Sequence, residues 1–169
     1  MNNLLMVVLR LIHVLSGVFW AGATIVFASH VTPSVKATGA EGQKFMQHVA
    51  GKSSLSLWLT IAAILAAVSG TIMYFVNWLG NHSSQGNTLI LGMLFGWVAF
   101  FHGLFAQRRT ILKLQKMGEK VAASGGPPSP EEAQTMGNLS DRISRNGVIL
   151  AYLLALTVVL MGVFQYVIF

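Results

Sequence analysis

The residues of this chain that could do chemistry are few: five histidines, Arg10, Tyr74 and a cluster of arginines in an otherwise apolar sequence. Neutral imidazole ligates haem iron and other metals, and it also relays protons. His13 heads a stripe of His13, Ser16/Gly17, Trp20 and Thr24 at the three-to-four-residue spacing of one helix face. A polar group in hydrocarbon is expensive, so such a stripe is expected to face protein or a cofactor. Ordered by depth, Arg10, His13, Tyr74, Asn77, Gln165 and Tyr166 form an outer layer. His30, His48, His102, Gln107, Arg108, Arg142, Arg145 and Asn146 form an inner one.

A haem b between helices needs axial ligands and cations near its propionates. His102 with His30 or His48 opposite, and with Arg108, Arg142 and Arg145 nearby, meets that inventory. His13 with His102 is the other pair; it ranks lower because the two lie in opposite halves of parallel helices. A quinone site would draw on Arg10, His13 and Tyr74 as hydrogen-bond donors. Against these stand plainer roles. A histidine within a span is often satisfied by a neighbouring helix, and His30, His48 and His82 read equally as surface residues. The arginines read as snorkelling to head groups, and Trp20, Trp58, Trp78 and Trp97 as packing or belt residues.

Other chemistries lack their parts. The sequence has no cysteine, hence no thiolate nucleophile and no Cys-based metal site. It has no Gly-rich phosphate loop followed by Lys, no HExxH and no catalytic triad. No expected span holds Asp or Glu, and the methionines show no paired Met-x-x-Met pattern. No catalytic residue and no metal cluster are assigned.

The elements that must position these residues follow from composition. The 169 residues are 54% hydrophobic and 9% charged, against about 25% charged in soluble domains. Apolar runs long enough to span a bilayer recur at 4–28, 55–78, 88–106 and 147–168. The expected fold is therefore an all-α membrane protein: one four-transmembrane-helix bundle over residues 1–169. The net charge of +6 sits beside the spans, where Lys and Arg meet phospholipid, so nucleic acid is not an expected partner. MNNLLMVVLR has no basic region before its apolar run, so a cleaved signal peptide is not expected. Lys36, Lys44 and Lys52 in the first connection, and Arg108 to Arg145 in the third, contrast with a second connection that lacks Lys and Arg. By the positive-inside rule both termini lie outside, with Arg10 the one dissenting cation.

Within this frame Pro33 predicts that helix 1 ends near His30. Residues 37–52 read as partly helical and interfacial, with Phe45, Met46 and Val49 on one side. Small residues recur at four-residue spacing in Ala62, Ala66, Gly70, in Gly92, Gly96, and in Gly147, Ala151, Ala155, which favours close helix packing. Helix 3 is expected to run past Arg109 on the face Ile111, Leu112, Leu114, Met117, Val121 and to break at Gly125-Gly126-Pro127-Pro128. Ser129-Pro130-Glu131-Glu132 then has the form of a capping box. Helices 3 and 4 would thus extend into the cytoplasm as an antiparallel hairpin.

The segment Leu9–Pro33, with Arg10, His13, Gly17, Trp20 and Gly22, resembles a broad set of small bacterial membrane proteins. The set comprises the copper-resistance protein D superfamily, the membrane part of the membrane-bound urate oxidase and HemJ-type protoporphyrinogen oxidases. With Pro33-Ser34-Val35-Lys36-Ala37-Thr38-Gly39 and Gly125 to Glu131, the chain is similar over nearly its whole length to uncharacterised four-helix proteins. Haem association, implied by the wider set, would fall on His13. The HemJ-like enzymes also rely on a Lys in a later span, and this sequence has none there. The expected role is a non-catalytic accessory subunit of the bacterial inner membrane, packing against other subunits of a larger respiratory or photosynthetic complex or against itself. The alternative is a small b-type haem-binding or quinone-reactive electron-transfer protein.

Overall fold

Pro33 sits inside a continuous helix. In the computed structural model, which describes residues 3–51 and 54–167, α1 (Asn3–Val26) passes through a π-helical segment, Phe27–Val31, into α2 (Thr32–Ala37). Proline lacks an N–H, and its ring crowds the carbonyl four residues back. In the wider π turn the N–H of Thr32 reaches the carbonyl of Phe27, and Pro33 follows at the start of α2, where a widened turn accommodates a ring that donates no hydrogen bond. The expected helix end near His30 is corrected accordingly: the backbone widens instead of stopping.

A turn at Gly39, with φ of 60°, leads to α3 (Ala40–Gly51). Then come α4 (Leu55–Asn77), α5 (Ser84–His102), a second π segment (Gly103–Gln107), α6 (Arg108–Ala123), α7 (Pro130–Val163) and a 3-10 turn, Phe164–Tyr166. Lys52 and residue 168 of the expected fourth span lie outside the described residues. The capping box is formed as expected. The Ser129 hydroxyl accepts the Glu132 N–H at 3.2 Å, and the Glu132 carboxylate accepts the Ser129 N–H at 3.1 Å.

Among the described residues four continuous helices are long and apolar enough to cross a membrane: Asn3–Ala37, Leu55–Asn77, Ser84–Ala123 and Pro130–Tyr166. They close into a ring in which α1 packs mainly on α4 and α5 on α7, with α1 also touching α7 and α4 touching α5. Helices α1 and α5 thus stand on a diagonal. The start of α1 meets the end of α4, where Asn77 Nδ2 lies 3.8 Å from Met6 Sδ. The start of α5 meets the end of the fourth helix, where Gln85 donates to the Gln165 carbonyl at 3.2 Å.

The core is made of small residues and a few large ones: Trp20, Ala21, Ala62, Ala63, Ala66, Ala99, Leu150 and Leu154. Along α5, Gly92 abuts Leu160 and Met161 and Gly96 abuts Thr157, and at the start of the second π segment Gly103 abuts Leu150. A Cβ at Gly92 would lie 3.2 Å from Met161 Cγ, so the missing side chain sets the approach. On α7 the buried stripe is Asn146, Leu150, Leu154, one residue before the expected Gly147, Ala151, Ala155. The glycines of α5 provide the close approach, which lets α7 present bulk at the seam.

Leu154 is only 2% exposed. Leu154→Ala is expected to destabilise the bundle by about 2–5 kcal/mol, read by denaturant unfolding in detergent micelles. Leu156→Ala, at a position 41% exposed, should stay within about 0.5 kcal/mol.

Candidate functional site: two polar layers of the bundle

In the outer layer the His13 ring lies against Gly70, where an added Cβ would stand 2.6 Å from its Cε1. His13 Nδ1 is 2.8 Å from the carbonyl oxygen of Ala66. A carbonyl only accepts, so Nδ1 is the donor in this bond. The small-residue stripe of α4 is thus a socket for an imidazole, and His13 is tied to the partner helix of α1. Ser16, one turn on, is buried and returns its hydroxyl to the Ile12 carbonyl at 2.5 Å. Trp20, next on the stripe, is in the core. Arg10 is exposed and lines a groove of about 350 Å³ with Asn3, Met6, Val7, Asn77 and Trp78. Tyr74 is half-buried and packs edge-on against Phe75. Neither His13 nor Tyr74 lines the Arg10 groove, so the expected quinone triad is distributed over separate surroundings.

The inner layer is where both π segments occur, and both touch α7. His102 closes α5 immediately before the second segment, and its Nδ1 is buried without a hydrogen-bond partner. Gln107 closes that segment, with Oε1 buried and unpartnered and with Nε2 3.8 Å from the Cβ position of Gly147. Asn146, beside Gly147, is 8% exposed, and its Nδ2 has no partner either. Buried polar atoms are almost always paired, so three that find no partner among the described residues, at one end of the bundle, carry a cost in stability. π-bulges inside helices are frequent at functional sites. The sequence placed Gln107 and Asn146 in this layer as polar residues flanking apolar runs, but it held no signal for the second π segment.

The other candidates go elsewhere. His30 is exposed, its Nδ1 2.6 Å from the Ser29 hydroxyl, and it lines an open groove of about 460 Å³ with Val31, Val35, Thr38 and Phe45. His48 is exposed on α3. Arg108, Arg142 and Arg145 are all exposed, while Arg109 lies over the Phe105 ring at 5.4 Å. Among the described residues no group of three or more His, Cys, Asp or Glu side chains converges. Trp97 donates to Thr71 at 3.1 Å, joining α5 to α4, and Trp78 packs on Phe164; Trp58 is 58% exposed.

No protein-family model, no curated protein and no solved structure matches this chain.

Two substitutions separate the layers. Gly70→Ala drives a methyl into the His13 ring and is expected to cost about 1–3 kcal/mol, while Gly17→Ala, with open space at its Cβ, is expected to be tolerated. Asn146→Leu removes an unpaired donor and keeps the branch at Cγ but adds volume, so it is expected to raise unfolding stability in micelles by no more than about 1 kcal/mol.

Proposed function

We propose that this protein is a multi-pass protein of the bacterial cytoplasmic membrane that serves as a non-catalytic subunit of a larger respiratory or photosynthetic membrane complex. The outward side chains of the four long helices support the membrane part of this reading: Leu4, Leu11, Leu15 and Val18 on α1 and Val158, Val159 and Val163 on α7 are large, apolar and exposed. The cations gathered around α2, α3 and α6 argue for that end being cytoplasmic and for both termini being outside.

The observation that carries the subunit reading is the braced pair of arms made by α6 and the first half of α7. The α4 helix has 23 residues, whereas the third and fourth long helices run to 40 and 37. With the opposite ends level, the arms overhang α4 by about 20 Å. Lys36–Asp141 at 2.8 Å ties α2 to α7, and Lys120–Glu132 at 3.2 Å closes the arms on each other. Exposed Lys113 and Lys116 face outward from α6. A stiff cationic projection on a bundle whose central histidine is spent on helix packing is suited to docking.

The second reading, a small b-type haem-binding or quinone-reactive protein, is favoured by one observation, the buried unpaired Nδ1 of His102. One purification in mild detergent distinguishes the two. The subunit reading expects a colourless protein that co-migrates stoichiometrically with a large membrane complex, and Lys113→Glu with Lys116→Glu releases it without loss of helicity. A reducible Soret band that disappears in His102→Ala or His13→Ala overturns that reading in favour of the cytochrome.

A further inference from the structure

Arg10 has no acidic counterpart at its own end of the bundle. Every described Asp and Glu lies on α3, α6 or α7 at the opposite end, and every other described Lys and Arg lies on those helices or on α2 beside them. The guanidinium is exposed and enters no ion pair among the described residues. Its groove is amphipathic. Asn3 and Asn77 accompany Arg10 as polar residues, while Met6, Val7 and Trp78 supply an apolar wall continuous with the outward faces of α1 and α4. Asn77 is held in place by donating to the Met73 carbonyl at 3.0 Å, which fixes that rim of the groove.

We infer that this groove seats the phosphate of a membrane phospholipid, with Arg10 as its counter-ion and Met6, Val7 and Trp78 against the start of the acyl chain. The inference rests on the membrane reading above but not on the subunit reading. A guanidinium suits a phosphodiester because its fork of donors matches two phosphate oxygens at once. At about 350 Å³ the groove holds a head group and glycerol rather than a folded partner. A lone cation at the end opposed by the positive-inside rule is also unfavourable for topology, which a bound anion offsets.

The test uses the full chain in detergent, with a phosphatidylglycerol carrying a photoactivatable diazirine on its head group. Cross-links are expected within Asn3–Arg10 and at Asn77–Trp78. By native mass spectrometry, Arg10→Gln is expected to lower lipid occupancy about fivefold, the share of one basic residue beside an anionic surface. Arg10→Lys retains part of the occupancy, and Lys44→Gln at the other end retains all of it. Unchanged occupancy in Arg10→Gln, or cross-links mapping only to other segments, overturns the site, and the wild-type map holds even where a variant loses helicity. Displacement of the lipid by excess inorganic phosphate overturns the lipid as occupant in favour of the free anion. Membranes washed with alkaline carbonate separate the two readings. Release of the protein fails the membrane reading and this inference with it, whereas retention without Arg10-dependent lipid fails this inference alone.

Discussion

The bundle depends on how closely α1 and α4 approach each other. Helices this apolar, long enough to cross a membrane, gain specificity for one another from packing and from interhelical hydrogen bonds rather than from burial alone. Here both are concentrated at one place. Ala62, Ala66 and Gly70 strip α4 of bulk, and the imidazole of His13 fills the socket and bonds the Ala66 carbonyl. One polar side chain therefore serves as a rivet, and its burial is compensated by the bond it makes. The α5–α7 pair solves the same problem differently, with glycines on one helix and leucines on the other.

Polar groups at the other end of the bundle are less well compensated. The two π segments, the orphaned atoms of His102, Gln107 and Asn146, and the buried end of the α7 stripe occupy one region. The first segment has a local cause in Pro33. The second contains no proline and begins at Gly103, where α5 lies against Leu150. Backbone distortion and unpaired polar atoms at the same level each cost stability.

Charge is segregated along the long axis. The α2, α3 and α6 end holds both signs, and its ion pairs bind the peripheral helices to α7. Each such pair is exposed and contributes little energy by itself. What they mark is proximity: Lys36–Asp141 joins α2 to α7, and Lys120–Glu132 joins α6 to α7. At the far end the single guanidinium of Arg10 is left to the surroundings.

Much of this architecture was legible in the chain. The apolar runs, the continuation of helix 3 beyond Arg109, the break at Gly125 and the capping box at Ser129 follow from length, periodicity and short-range hydrogen bonding, and the coordinates bear them out. These are local properties, decided within a turn or two of helix. The partner of His13, the path of the helix through Pro33, the choice of Asn146 rather than Gly147 for the seam and the separation of Arg10 from Tyr74 were not legible. Each depends on which helix stands beside which and at what rotation. That is settled only when side chains from distant segments compete for the same volume, and no spacing within one segment carries that information.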